Sequence, residues 1–529
     1  MDVAADTIKA DRRDGLTDDS EPKTSLIFQN EDIIGVIMQH YRAMIDNNFD
    51  RSLCLVWAAL TSHSFLNAGL DALWYTLDSP FPLLSLLSNF SREDSSLKGP
   101  ADESDWKKFD DYACRVRIVR LWHNHVAHAG VLEQVKALHP HYILPGLQHI
   151  DLQLLTRDNI EAVKFYLSPN LTSLDIREGR DLRRLYDTSE KLQLSALLKT
   201  ICTVPSIRLA KLSMTILLEH DYLDESFRQL LHLSRLKTGL SKVLLLPQIL
   251  FNSQLMDLDL HLVDELQFPA TFQSAPRLKR LNLIHLPLSL NLFPQSSNLL
   301  FPNLTSLKIK ILELQEWAVT NHQRWTVLIF PPNLTHLEIV SNPVILDHWD
   351  AVPTLPFHTL TRNRHLKSLS IRAKIELTEI GLQHVSEEAQ WESLEYLRLI
   401  AVQADLGANP LLVLGFLAQH CPKLCRLEIA IISYRPSKTP DNFQVLRSFL
   451  QSDELVPPHL QLQCLDIYMD EDYVTPLVNE EILQQAQYIH SLFPNVRQLG
   501  HLPNYKSVLV ESFNSYVERK RNETRIPTP

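Results

Sequence analysis

The chain runs to 529 residues, 45% hydrophobic and 21% charged, and its 62 acidic against 51 basic side chains leave a formal net charge of -11. An acid surplus of that size argues against a protein held on nucleic acid or anionic lipid by bulk electrostatics. No stretch approaches the roughly 18 apolar residues of a membrane span, and the acidic amino terminus does not read as a secretory signal, so no membrane contact and a cytoplasmic or nuclear location are expected. The scattered Cys54, Cys114, Cys202, Cys421, Cys425 and Cys464 lack the flanking clusters of secreted repeat proteins, which predicts reduced thiols.

Residues 1–25 are rich in Asp with almost no apolar content and are predicted to be a disordered acidic tail. From Leu26 the texture changes. Asn30 is placed to cap a helix whose Ile33, Ile34 and Ile37 fall on one side, with Met38 and Tyr41 continuing it. Beyond a polar stretch at 46–51, a second apolar run reads Leu53, Leu55, Val56, Trp57, Ala58, Ala59, Leu60. A third helix is predicted through Phe65, Ala68, Leu70, Leu73 and Trp74. Three short helices make a marginal core unless a partner, or the repeat that follows, covers part of their surface. These residues set a small all-α domain at 26–78 and a connecting segment at 79–145.

Between Leu171 and Ile467 one phrase occurs nine times: a Leu, two variable residues, an apolar residue, one variable residue and another apolar one. The copies are Leu171/Leu174/Ile176, Leu255/Leu258/Leu260, Leu278/Leu281/Leu283, Leu304/Leu307/Ile309, Leu334/Leu337/Ile339, Leu366/Leu369/Ile371, Leu394/Leu397/Leu399, Leu424/Leu427/Ile429 and Leu462/Leu465/Ile467. Looser copies occur at Leu147/Ile150/Leu152, Leu209/Leu212/Met214 and Val496/Leu499. The last two apolar positions are spaced by two, as in a short strand that buries one face, and the first packs in the turn entering it. One such unit cannot close a core; stacked on its neighbours it can.

From Leu255 onward the leading Leu residues lie 23 to 38 apart, which leaves room for a helix in each gap. Helical spacing is found at 159–167, 194–202, 411–420, 443–450 and 480–492. Pro169, Pro276, Pro302, Pro332 and Pro422 stand two residues before a leading Leu, where proline ends a helix and prepares a strand. The period resembles the irregular leucine-rich repeats of adaptor proteins, without the Asn that many such repeats place after the strand. The expected fold class is therefore α/β: a leucine-rich-repeat solenoid over 146–510, parallel strands on the concave face and helices on the convex face, preceded by the all-α domain and followed by a tail at 511–529. Outward strand positions are the candidates for holding a protein substrate, in particular Lys308, Glu338, Arg372, Arg398, Glu428 and Asp466. The full outward row carries a slight acid excess, too small to identify a partner.

The stretch Ala58-Ala59-Leu60-Thr61-Ser62-His63-Ser64-Phe65, followed by Ala68, Leu70, Asp71, Leu73 and Trp74, resembles the second half of an F-box as found in fungal F-box proteins, with Ile33 to Ile37 as its first helix. Trp106, Phe109, Tyr112, Arg115 and Val116 resemble the segment joining box and repeats in that group. The resemblance implies a non-enzymatic substrate receptor of an SCF-type ubiquitin ligase. Its box would dock on a Skp-family adaptor and through it a cullin, and its repeats would hold an unknown protein substrate. Ile33, Ile34, Ile37, Leu60, Phe65, Leu73 and Trp74 then match positions that pack the box or contact the adaptor. Two departures stand out: the Leu-Pro pair that often opens an F-box is absent near Phe28-Gln29, and the loop after the first helix is long and polar.

Catalytic and cofactor signatures are absent. With 12 Gly the chain has no GxGxxG, no GxxxxGK[ST] and no GxSxG, so neither catalytic residue nor cofactor is assigned. His123, His125 and His128, with His139 and His141 beyond, lack the Cys or carboxylate partners of a metal site, and none is assigned. Asn170, Asn303 and Asn333 open glycosylation-like triplets that are by-products of the recurring Pro-Asn-Leu-Thr phrase. Two other readings stay open: a leucine-rich-repeat scaffold with no ubiquitin role, and a regulator of a small GTPase.

Overall fold

The structure is a computed structural model. It describes residues 30–44, 48–121, 129–153, 157–177, 188–204, 206–218, 230, 232–240, 254–262, 275–284, 301–311, 330–331, 333–341, 355–356, 363–372, 375–376, 391–400, 410–431, 458–469, 479–496, 499–500 and 508–525. The chain divides into two compact units, 1–119 with 144–147, and 120–143 with 148–529. Among the described residues no helix is long and apolar enough to cross a membrane.

The first unit opens with three helices, α1 (Glu31–Met44), α2 (Asn48–Thr61) and α3 (His63–Trp74). Asn30 caps α1 as its sequence position predicts, its Oδ1 accepting from the Asp32 and Ile33 amides at 3.0 and 3.2 Å. Ser62 caps α3. The three helices close on a small core of Ile34, Met38, Leu55 and Ala72, with Ala58, Phe65, Ala68 and Leu73 packed against it. Helices α2 and α3 approach closely at Gly69, where a Cβ would stand 2.6 Å from that of Ala59; a larger residue would force them apart. The unit continues through β1 (Thr76–Leu77), a short α4 (Phe81–Leu84), the antiparallel pair β2 (Phe90–Ser91) and β3 (Ser96–Leu97), and α5 (Glu103–Ala113). The strand β4 (Ile118–Leu121) pairs in parallel with β1. Much of the segment expected to be a connector is thus built into the same compact unit as the helices.

The second unit is a leucine-rich-repeat solenoid. Its strands are β5 (His149–Gln153), β6 (Ser173–Arg177), β7 (Lys211–Leu218), β8 (Arg235–Leu240), β9 (Asp257–Leu262), β10 (Arg280–Ile284), β11 (Ser306–Ile311) and β12 (His336–Ser341). After β13 (Leu355–Pro356) come β14 (Ser368–Arg372), β15 (Ile375–Glu376), β16 (Tyr396–Ile400), β17 (Arg426–Ile431), β18 (Cys464–Met469) and β19 (Leu499–Gly500). Each pairs in parallel with the next, in sequence order, except that β13 and β15 pair with each other outside the main sheet. The register is set by the repeat phrase: Leu258, Leu281, Leu307, Leu337, Leu369, Leu397, Leu427 and Leu465 are successive partners, as are the apolar residues two positions on. All nine phrases form strands with these positions buried. The three looser copies belong to β5, β7 and β19.

Two further copies carry too little of the Leu pattern to be recognised in the sequence. In β8 the phrase reads Leu233, Leu236 and Thr238, the last a polar residue fully buried where an apolar one is the rule. In β4 it reads Val116, Val119 and Leu121, with Val in the leading place.

Entry to most of the described strands follows one pattern. The amide of the leading residue donates to the carbonyl three residues before it, as in Leu278 to Ala275, Leu304 to Phe301, Leu394 to Trp391 and Val496 to Phe493, at 3.1 to 3.3 Å. The residue providing that carbonyl is itself buried, and Phe301, Trp391 and Phe493 are among the largest fully buried side chains. The Asn of the Pro-Asn-Leu-Thr phrase helps to join the repeats. Asn303 Nδ2 donates to the Pro276 carbonyl at 2.6 Å and Asn333 Nδ2 to the Pro302 carbonyl at 2.7 Å, each reaching one repeat back. An asparagine ladder therefore exists before the strand rather than after it.

Helices α6 (Ala129–Leu138), α7 (Arg157–Tyr166), α8 (Thr188–Thr203), α9 (Pro410–His420) and α10 (Asn479–Leu492) cover the described gaps, within a few residues of the expected positions where helices were predicted. The helix expected at 443–450 lies outside the described residues, as do the tail at 1–25 and the cluster His123, His125 and His128. The carboxy-terminal tail expected from 511 is instead most of a helix, α11 (Val508–Arg525). Its Leu509, Val510, Phe513 and Val517 are buried, and Asn514 receives the Leu499 amide at 2.8 Å. Counting repeats ends the fold with the last Leu phrase, yet the final strand still needs its apolar side covered.

Replacing Phe513 with Ala should therefore cost about 3–5 kcal/mol of stability. Chemical denaturation of the full chain measures it; a tail would show no change.

Candidate functional site

Two surfaces stand out, one in each unit. On the helical unit the notable feature is apolar. Ile33, Val36, Ile37, Tyr41 and Met44 on α1, and Leu53, Val56, Trp57 and Leu60 on α2, are nine of the fourteen large hydrophobic residues exposed among the described ones. Leu53, Val56, Trp57 and Leu60 fall at i, i+3, i+4 and i+7, a single stripe along α2. A side-chain hydrogen bond with Cys54 of α2 raises the Tyr41 pKa. Trp57 and Leu60 are the most open on α2, at 64% and 70% exposure. A small core with so wide an apolar exterior marks an interaction face.

The residues singled out from the sequence divide on this unit. Ile33, Ile37 and Leu60 lie on the exposed face. Ile34 does not: it is fully buried at the centre of the three-helix core, so it packs the domain and is not available to a partner. Phe65 and Leu73 are partly buried against the same core, and Trp74 is half-buried with its ring 4.8 Å from that of Tyr112. Sequence reasoning missed Val36, Tyr41, Met44, Leu53, Val56 and Trp57 as members of this face. The run 53–60 reads as uniformly apolar, and only helical phase separates Leu55 and Ala59, which are buried, from the stripe that is not.

On the repeat unit the outward strand positions form rows defined by the register. One row runs Asp175, Ser213, Lys237, Asp259, Asn282, Lys308, Glu338, Ser370, Arg398, Glu428, Asp466. Most charges are tied to the neighbouring repeat. Lys308 pairs with Glu338 at 2.7 Å. Glu428, almost fully buried, is held by Arg398 at 2.9 Å and Arg426 at 2.6 Å, and accepts from the Tyr396 hydroxyl at 3.3 Å. Asp466 lies 3.9 Å from Arg426. Burial raises its pKa first, repulsion from Glu428 second. Of the six substrate candidates, Arg372 is exposed two residues beyond Ser370 on its strand and joins no ion pair among the described residues.

Nothing in the described residues groups His, Cys, Asp and Glu as metal ligands. Burial pushes the Cys202 thiol up to about 11 and the Cys421 thiol up to about 12. His459 is a buried joint between repeats, its ring bridging the Cys421 carbonyl at 2.6 Å and the Leu462 amide at 3.2 Å.

No protein-family model matches the chain, and no curated protein matches it. Solved structures that overlap it include an internalin (inlF) of Listeria monocytogenes, at 14% identity over 73% of this chain and 93% of that one, with a TM-score of 0.38. A leucine-rich-repeat protein of Leptospira interrogans overlaps at 16% identity over 67% and 90%, with a TM-score of 0.22. Those scores are too low to establish a shared fold, and the leucine-rich-repeat assignment rests on the strand ladder itself.

The two carboxylates of the Glu428 network should respond oppositely to neutralisation. Glu428→Gln strands two guanidinium groups and should cost about 1–2 kcal/mol. A raised folded pKa means Asp466 opposes folding once the pH exceeds its ordinary range, and contributes nothing in acid where both states are protonated. Asp466→Asn should therefore raise the thermal midpoint at about pH 7 and leave it unchanged near pH 3.

Proposed function

We propose that this chain is the substrate-recognition subunit of an SCF-type ubiquitin ligase, acting in the cytoplasm or nucleus. In this reading the apolar face of α1 and α2 docks on a Skp-family adaptor bound to a cullin, and the strand face of the repeats holds the substrate. The chain supplies no catalytic group. Its mechanism is proximity: a substrate fixed on the repeats meets a charged ubiquitin-conjugating enzyme at high effective concentration.

One observation carries the reading, the exposed stripe of Leu53, Val56, Trp57 and Leu60 beside the α1 residues. A face of that composition is costly to leave in water and is depleted of the charges that keep monomers apart. The F-box resemblance assigns the same helices to adaptor contact. Absence of the opening Leu-Pro pair does not touch this face, since none of its residues precedes Ile33.

Co-purification of the full chain with a Skp-family adaptor tests the reading. Trp57→Asp with Leu60→Asp should reduce retention by more than about tenfold, because exposed aromatic and aliphatic anchors carry most of an interface's energy. Both side chains point away from the core, so far-ultraviolet circular dichroism should be unchanged. Failure of the unaltered chain to retain the adaptor returns it to a leucine-rich-repeat scaffold without ligase function.

A further inference from the structure

On the strand face of β6 to β11 lies an open cavity of about 630 Å³. Its lining reverses the sign of the whole chain: six basic side chains, from Arg177 to Lys308, against Asp175, Asp257 and Asp259, in a protein of net charge -11.

The excess is concentrated. Lys211, Arg235, Asp257 and Arg280 are successive partners in one row, and Lys237 lies two residues from Arg235 on the same face of β8. Asp257 serves two guanidiniums, standing 3.0 Å from Arg235 and receiving two hydrogen bonds from Arg280, so that trio keeps one positive charge. Neither Lys211 nor Lys237 joins an ion pair among the described residues. Adjacent strands lie about 4.8 Å apart. Like charges placed side by side at that spacing destabilise a sheet. Elsewhere on this face the pairs Lys308–Glu338 and Arg398–Glu428 avoid that repulsion. The like-charged acid pairs Asp151–Asp175 and Glu428–Asp466 each share a guanidinium, Arg177 and Arg426. Lys211 and Arg235 instead adjoin with no acid bridging them among the described residues and a cavity above, which is the pattern of a binding site for anions.

From this geometry we infer that the cavity over Lys211, Arg235, Lys237 and Arg280 binds an acidic segment of a partner protein, through its carboxylates or through phosphate groups on it. The inference rests on the reading of the strand face as the substrate surface and names the class of substrate. An extended peptide fits the opening, which follows a row of strands rather than enclosing a compact ligand. Ser213, Asn282 and Ser306 provide neutral hydrogen-bonding groups between the cations. The three acids of the lining and the negative charge of the chain oppose a long polyanion such as nucleic acid.

Fluorescence anisotropy with the full chain tests this. The probes are labelled deca-glutamate, a Gly-Ser repeat peptide with phosphorylated serines, its unphosphorylated form and an oligo-thymidine. The acidic peptides should bind, the plain Gly-Ser peptide should not, and preference between carboxylate and phosphate identifies the source of charge. Lys211→Glu with Lys237→Glu should weaken binding about tenfold or more, while Lys107→Glu with Lys423→Glu, an equal charge change at exposed positions elsewhere, should change it less than about twofold. Asp259→Asn, near-isosteric and removing one negative charge, should tighten binding, which keeps the test sound if the Lys variants misfold. Equal loss in both double variants, no preference for acidic peptides, or tighter binding of the oligonucleotide overturns the inference. Adaptor retention is read in parallel. A chain that binds acidic peptide without retaining adaptor overturns the ligase reading alone, and the reverse overturns only the cavity.

Discussion

No strand of the repeat unit can satisfy its own main chain. The amides entering β9, Met256 and Asp257, both donate to the Ser234 carbonyl of the preceding repeat, and Lys279 and Arg280 do the same to Met256 one step later. Everything else follows from this borrowing. Register is locked because the Leu phrase must stay on the buried side, and a slip of one residue would turn the whole apolar set outward. The turn before most strands is locked because its carbonyl holds the leading amide, a task that the His459 ring takes over before β18. With one side of the sheet committed to the core, the other carries a regular grid of side chains whose spacing the backbone sets.

That grid explains why charge on the strand face behaves differently from charge on an ordinary surface. Side chains at equivalent positions are held next to each other whatever their sign, so the sequence must alternate signs along a row or accept repulsion. Around Glu428 three basic or hydroxyl groups converge on one buried carboxylate, and the like-charged step to Asp466 is bridged by Arg426. Between Lys211 and Arg235 two bases adjoin with no acid bridging them among the described residues. The helical unit works on another principle: its core is too small to absorb the apolar residues of α1 and α2, and what remains outside is a stripe of Trp, Leu and Val. One surface is specific through charge placed by a lattice, the other adhesive through uncovered hydrocarbon.

Much of this architecture is legible in the residues. Period and spacing reveal the strands, because buried alternation and stacking leave a strong mark in Leu and Ile. The strand β8 escapes because Thr238 stands at an apolar position, and β4 because Val116 stands where Leu is the rule. Helix α11 escapes because a rule built on repeats says nothing about what closes the last one. On the sites, the residues point to the right helices but do not separate Ile34 from Ile33, since neighbouring positions on a helix differ only by a rotation of about 100° and the direction of the core is a tertiary fact. The cavity is invisible for a similar reason: summed along the whole array, outward acids and bases nearly cancel, whereas the structure shows them sorted by place.

The clasp of Asp257 between Arg235 and Arg280 bears on how such a stack can change its length over evolutionary time. A modular array would be expected to gain or lose whole units without harm, and excising the unit of β9 would leave the hydrocarbon seam intact, with Leu236 meeting Leu281 across the join. It would also set two guanidiniums shoulder to shoulder with no carboxylate between them. The modules are interchangeable in their backbones and not in their ionic edges, so losing this one would add a second like-charged join beside that of Lys211 and Arg235.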